Sequence, residues 1–343
     1  MLEQVPDLTQ MSGWLPLVFA LVMALAMLAY VIMDGYDLGV GVLMRYADDK
    51  QKDVMIASIG PFWDANETWL VLGVGVLLVA FPLAHGAVLG ALYLPAALML
   101  MALMLRGVAF DFRVKAREEH KRLWDNAFNI GSLLAAWAQG YMLGALVTGF
   151  RNDLWGWLFG ALIGFCLIAA YCLMGAGWLI MKTEGELQLR AVAWATRSVW
   201  LAAGGIGAIS IVTPLVSANI FQKWFSFPNI VLLSPVPVAT LVLFAVILRS
   251  LLRLPKRLKE NNEYGIGVPF LGTVGVFILA SYGLGYSLFP WLVVDKLTIW
   301  SAASATESLL FIFWGVAVVL PMIIGYTVYS YRVFWGKSAA LEY

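Results

Sequence analysis

Apolar residues fall in runs of about twenty along almost the whole chain, separated by short polar stretches, the length a helix needs to cross a bilayer core about 30 Å thick. Nine such runs can be bounded, at 14–44, 62–81, 86–106, 125–149, 154–181, 198–220, 229–248, 265–290 and 307–331. The pattern predicts an all-α polytopic membrane protein with nine transmembrane helices. Barrel strands would alternate apolar and polar residues over roughly ten positions, and no segment does. The first run exceeds what a span needs, so it is expected to project beyond the membrane at one end.

Charge placement adds an orientation. Of the 22 Lys and Arg residues, 19 fall in alternate connections, beginning with Arg45, Lys50 and Lys52 and ending with Arg332 and Lys337. The opposite side holds Arg151, Lys223 and Lys296. The positive-inside rule then puts the N-terminus outside and the C-terminus in the cytoplasm. Composition agrees with a membrane chain: 62% hydrophobic and 13% charged, against about half and about a quarter in soluble domains. The net charge of +1 says nothing by itself about partners, and no nucleic acid is expected. Met1 to Gly13 is acidic and polar and lacks a basic n-region, so the first run is expected to be a retained span rather than a cleaved signal. Every connection is short, and residues 1–343 are read as a single membrane domain.

Several chemistries are disfavoured. Haem iron takes axial His, Met, Cys or Tyr, but His85 follows Pro82 in an outer turn while His120 sits in a cytoplasmic loop. No metal site is expected in this chain. Cys166 and Cys172, six residues apart on one helix, rise about 9 Å relative to each other, too far for a disulfide. Leu-Gly-Val-Gly-Val-Leu occurs at 38–43 and again at 72–77, but both copies lack the third glycine of a dinucleotide fingerprint. Gly35 and Gly39 form a G-x-x-x-G pair suited to close helix approach.

The acids near the cytoplasmic face carry more. "DGYDLGVG" places Asp34 and Asp37 three residues apart, on one helix face. Counting from Trp14 puts Asp34 about 30 Å down the axis, at the inner edge of the core, so the pair can also be read as a plain boundary marker. "PFWDANETW" opens the second span. With Pro82 closing that span, crossing the core requires helix from about Phe62, which draws Asp64 and Glu67 into its first two turns. Helix capping alone would account for Asp64. Capping does not account for two acidic pairs at one depth on consecutive helices. Ionisable groups at such depth usually face a bundle interior or a water-filled cavity, and four carboxylates around one inlet suggest proton uptake from the cytoplasm. "RGVAFDFRVKAREEHKR" (106–122) is read as a solvated basic loop, with Asp111 available to pair with an arginine. Glu184 and Glu307 flank spans, and they and Trp63 are supporting candidates for the site.

"DGYDLGVGVL", "PFWDANETWL", "RGVAFDFR", "KTEGELQLRA" and "YRVFWGK" occur in one order, and together the chain from residue 12 to 343 resembles subunit II of the cytochrome bd-type quinol oxidases, the cyanide-insensitive branch included. The resemblance implies two four-helix bundles, here 14–149 and 154–290, plus a peripheral helix at 307–331. It implies a partner, subunit I, that carries haems b and b/d and the quinol site and reduces dioxygen to water, and in some members a small single-span accessory subunit. It implies a subunit II without haem ligands, with a structural quinone in some members. It also implies a proton pathway through Asp34, Asp37 and Asp64 in a bacterial cytoplasmic membrane. Two departures stand out: relatives often show W-D-A where this chain has Trp300-Ser301-Ala302, and some have Gln at the position of Glu67. The rival class is a proton-coupled secondary transporter, for which intramembrane carboxylates and repeats are also typical; a purely structural scaffold is a third.

Overall fold

The computed structural model describes residues 6–338; residues 1–5, read above as part of the acidic lead-in, and 339–343 lie outside them. Nine of its helices are long and apolar enough to cross a membrane among the described residues. Each corresponds to one predicted span. They are α1 (Met11–Leu43), α3 (Trp63–Ala80), α4 (Pro82–Lys115), α5 (Glu118–Val147), α6 (Leu154–Lys182), α7 (Gly185–Val216), α10 (Pro235–Lys259), α11 (Val268–Leu288) and α12 (Thr306–Val333). Between them stand α2 (Asp49–Ile59), α8 (Ala218–Phe225), α9 (Asn229–Leu233) and a hairpin of β1 (Trp291–Val293) and β2 (Leu297–Thr298), antiparallel with Trp291 opposite Thr298.

Local signals explain the breaks. Asp48 accepts from the Gln51 amide at 2.9 Å to cap α2, and Asp153 accepts from the Gly156 amide at 2.8 Å to cap α6. Pro82 lacks an N–H, which separates α3 from α4 and suits the first turn of the latter. The hydroxyl and amide of Ser304 donate to Val79 and Ala80 carbonyls, satisfying the end of α3.

The helices run further toward the basic side than hydropathy indicates. α4 continues to Lys115 and α5 resumes at Glu118, so the 106–122 stretch is helical on both sides of a short break rather than a solvated loop. The reason is charge pairing: Arg106 and Arg113 are buried against carboxylates, which lets helix carry charge that a hydropathy window rejects. Likewise α7 begins at Gly185 rather than near 198, and α10 extends to Lys259.

α1 is central and packs on α3, α5 and α6; α4 lies on α5, and α5 on α6. α6 also packs on α7 and α11, which in turn both contact α10. The approach of α1 to α6 is backbone to backbone. A Cβ on Gly39 would collide with the Tyr171 carbonyl, and one on Gly175 would meet the Val40 amide at 2.5 Å. The close packing expected of the G-x-x-x-G pair is therefore present, with Gly35 flat against the Tyr171 ring. Large apolar side chains such as Leu25, Val71, Met104, Leu201, Leu241 and Val318 point outward on many helices, as a lipid environment requires. α12 is the least embedded and makes its main helix contact with α1.

Candidate functional site: a buried arginine among three carboxylates

Two helices deliver acids and a third delivers a cation to a common point. Asp34 and Asp37 stand nine and six residues before the end of α1, so Asp34 lies about 14 Å inside it. Glu67 is in the second turn of α3, and Arg106 stands nine residues from the end of α4. The Arg106 guanidinium donates through Nη1 to Asp34 Oδ1 at 2.6 Å and to Glu67 Oε1 at 3.0 Å, and its Nη2 lies 3.8 Å from Asp37 Oδ2. The Arg106, Asp34 and Asp37 side chains are fully buried, whereas that of Glu67 is 29% exposed. Two rings flank the guanidinium, Trp63 and Phe128, each with its centroid 5.9 Å away.

Asp37 leads to a second cluster. Asn66 Nδ2 donates to Asp37 Oδ2 at 2.7 Å and to the Tyr36 hydroxyl at 3.0 Å, while Tyr331 of α12 donates to Asn66 Oδ1 at 3.0 Å. Tyr36 is then the donor in its 2.7 Å contact with Tyr331, closing a ring of three hydrogen bonds. On the other flank the Tyr30 hydroxyl faces Asp34 and accepts from Gln139 Nε2 at 2.7 Å; the Gln139 carbonyl accepts from Tyr171, also at 2.7 Å. Asp34 Oδ2, Asp37 Oδ1 and the Arg106 Nε and Nη2 atoms make no hydrogen bond among the described residues. A buried cluster of this kind holds spare acceptors and donors at its centre.

The structure brings Asp34, Asp37 and Glu67 together, with Trp63 against their arginine. Asp64 stands at the edge of this group: three residues before Glu67 on the same face of α3, it is exposed, near Asp111 of α4, and makes no ion pair with Arg106 among the described residues. Glu184 and Glu307 are exposed in the first turns or caps of α7 and α12 and do not join the cluster. His85 and His120 occupy the first turns of α4 and α5, about 45 Å of helix apart, and do not converge on one metal. Among the described residues no group of three or more His, Cys, Asp or Glu is arranged to hold a metal ion. Both cysteines are free.

A second ion-pair set lies nearer the helix ends. Arg113 of α4 meets Asp125 of α5 at 2.5 Å and Asp53 of α2 at 2.8 Å, and Lys52 reaches Asp125 at 3.2 Å and Asp49 at 2.8 Å. Burial pulls the Lys52 ammonium down, but its hydrogen bonds to Asp49 and Asp125 outweigh this and hold it above the ordinary lysine range.

The profile of the family described as cytochrome bd terminal oxidase subunit II matches residues 15–334. The chain belongs to that family. Subunit 2 of the cytochrome bd-I ubiquinol oxidase of Escherichia coli (strain K12) is 28% identical to it, over 92% of this chain and 93% of that one. Subunit 2 of the cytochrome bd ubiquinol oxidase of Bacillus subtilis (strain 168) is 27% identical, over 94% and 96%. The bd oxidase from Geobacillus thermodenitrificans shares the fold, with a TM-score of 0.70 at 19% identity over 94% of this chain and 99% of that one. This subunit II is thus a multi-pass membrane component of a bd-type terminal oxidase, and the transporter reading is set aside.

Sequence reasoning missed Arg106 and the polar groups around it, among them Asn66, Tyr331 and Gln139. Arg106 was discoverable, because it ends an apolar run at a depth matching Asp34, and a charge there requires a partner. Asn66 sits between two acids in the quoted motif but carries no charge to draw attention. Tyr331 and Gln139 gave no signal, since their roles depend on which helices pack together.

Proposed function

We propose that this chain is the haem-free subunit II of a quinol:dioxygen oxidoreductase, the terminal oxidase of a respiratory chain in a bacterial cytoplasmic membrane. In this reading α1, α3, α4 and α5 form one four-helix bundle, α6, α7, α10 and α11 a second, and α12 is peripheral; the N-terminus is outside and the C-terminus cytoplasmic. Quinol oxidation and oxygen reduction belong to a haem-bearing subunit I with haems b and b/d. The distance between His85 and His120 supports keeping haem ligation out of this chain.

Subunit II would supply part of the path for the protons consumed in making water. The observation that carries this is the buried Arg106 centre. One guanidinium balances one carboxylate, so the remaining carboxyl groups are places where a proton can sit. Glu67 is the partly exposed member and would take protons from the cytoplasmic side. Arg106 Nη1 bridges Glu67 to Asp34, and Asp34 Oδ2 and Asp37 Oδ1 are acceptors with no protein donor, free to receive a proton or a water. Asp64, exposed one turn before Glu67 on the same face of α3, would stand ahead of it on the same path.

The test uses the purified two-subunit oxidase carrying Glu67→Gln or Asp34→Asn. Quinol-driven oxygen consumption and proton uptake are expected to fall together by about tenfold or more, with haem absorbance and haem reduction by quinol preserved. Normal turnover and normal proton uptake in both variants would remove the proton-path role and leave family membership intact. Asp64→Asn separates the exposed acid from the three around Arg106 in the same assay.

A further inference from the structure

We propose that Lys182 is a positioning residue that holds α12 as a cover over the Asn66–Asp37 arm of the buried centre, a role that rests on the proton-uptake reading above. The geometry begins with how little else holds α12. Its buried residues are Leu309 near one end and Ser330 near the other, and between them α12 and α3 diverge around a slot lined by Leu72, Ile312, Gly315 and Val319. Its middle rests on α1 and α3 only through partly buried side chains, such as Phe313 against Trp14 and Leu320 and Ile323 against Tyr30 and Trp69, so the placement of its end depends on contacts made there.

On the cytoplasmic side one ammonium group gathers the backbone that leaves α12, beside an ion pair of Lys337 with Glu263 at 2.7 Å. Lys182, the last residue of α6, is 3% exposed. Its Nζ donates to the carbonyls of Phe334, Trp335 and Gly336 at 2.5, 3.0 and 3.1 Å. The last carbonyls of a helix lack partners within it, and the negative end of the helix dipole favours a cation there. A lysine ammonium has three donors, and the three carbonyls that directly follow α12 take all of them. The charge stands 5.0 Å from the Trp178 ring and 5.5 Å from that of Phe62. The chain then returns the contact: the Ser338 amide donates to the Lys182 carbonyl at 2.8 Å, and Lys337 donates to the Thr183 carbonyl at 3.1 Å.

Tyr331 lies one turn before the gripped carbonyls. Its ring sits on Phe62 at 4.6 Å, and its hydroxyl closes the hydrogen-bonded ring with Asn66 and Tyr36. Asn66 in turn donates to Asp37. Lys182 is therefore linked to Asp37 through the placement of one helix end, without touching any carboxylate of the centre.

The experiment compares Lys182→Met and Lys182→Arg in the intact oxidase. Backbone hydrogen exchange is followed over residues 328–336 and 63–69, together with kcat for oxygen consumption and its solvent deuterium isotope effect. Lys182→Met keeps an apolar stem between the rings and removes the donors. Exchange in both segments is expected to rise at least tenfold, kcat to fall several-fold and the isotope effect to grow, and Lys182→Arg is expected to restore all three. Should Lys182→Met fail to assemble, Lys182→Gln, which retains one N–H donor group without charge, is read in the same way. Unchanged exchange over 328–336 overturns the clamp. Raised exchange with unchanged kcat and isotope effect overturns the positioning role; if Glu67→Gln still slows turnover, the proton-uptake reading survives that loss, and if it does not, both fall.

Discussion

Arg106 of α4 donates to Asp34 of α1 at 2.6 Å with both side chains withdrawn from solvent, although 72 residues separate them in the chain. Neither helix would bury its charge alone. The pair fixes the depth at which α1 and α4 meet, with Glu67 and Asp37 at the margins of the same guanidinium.

Removing the cation should therefore cost more than removing any one acid. Arg106→Leu leaves Asp34 and Asp37 buried without a counter-charge, and breaking a buried pair from one side destabilises by about 3–5 kcal/mol. The variant is expected to assemble poorly, with a lower thermal transition of the complex and reduced haem retention. Asp34→Asn leaves Glu67 beside the guanidinium and should assemble. Equal thermal stability of Arg106→Leu and the unaltered complex would show that the pair does not hold these helices.

The ring of Tyr36, Asn66 and Tyr331 gives a smaller and separable effect. Tyr331→Phe removes the hydroxyl that donates to Asn66 and accepts from Tyr36, while the ring against Phe62 remains. With a net contribution of about 1 kcal/mol for each hydrogen bond, α12 should be loosened by ~2 kcal/mol. Limited proteolysis near residues 333–338 should become faster in that variant, and a cleavage rate equal to that of the unaltered protein would remove the ring from the account.

These contacts also mark what was legible in the chain. The nine spans were legible because each is a run of apolar residues of membrane length, and bilayer thickness alone sets that length. Asp34, Asp37 and Glu67 were legible because charge is rare at that depth. Their arrangement was not. Asp64 and Glu67 share one motif and one face of α3, but only Glu67 turns far enough inward to meet Arg106, and the packing of α1 and α4 decides that. The same packing turns Arg106 and Arg113 from apparent loop charges into buried partners. Hydropathy ended the third span at Arg106, since a window that sums residue by residue has no term for an ion pair with a distant helix.

The contact between α1 and α6 predicts a sharp difference between glycines. Any Cβ at Gly39 runs into the Tyr171 carbonyl, a backbone atom that cannot turn away. Gly39→Val should destabilise by about 3 kcal/mol, at the upper end of overpacking penalties. Gly90 of α4 has open space where a Cβ would go, so Gly90→Ala should remain within about 1 kcal/mol of the unaltered protein. Thermal melting of the two variants in the complex checks the ordering, and comparable losses at both positions would contradict it.

The Arg113 set separates the two effects that burial of an ion pair combines. Arg113 and Asp125 retain 4% and 7% side-chain exposure, and their 2.5 Å contact joins α4 to α5 while Asp53 ties in α2. Taking two charges out of water is costly, so the pair need not stabilise relative to apolar residues of similar volume. Removing one partner is different, because the other is left buried and unpaired. Arg113→Met alone should lower stability by about 3 kcal/mol, and Asp125→Leu alone should also destabilise, by less, because Asp53 still holds the guanidinium. The double variant should lie close to the unaltered protein, giving a coupling energy of about 2 kcal/mol or more in a double-mutant cycle. Lys52 modifies the outcome, since it would lose one of its two carboxylate partners with Asp125 and keep Asp49. Strictly additive losses would mean that Arg113 and Asp125 act separately, and that α2 is held on α4 by Asp53 alone.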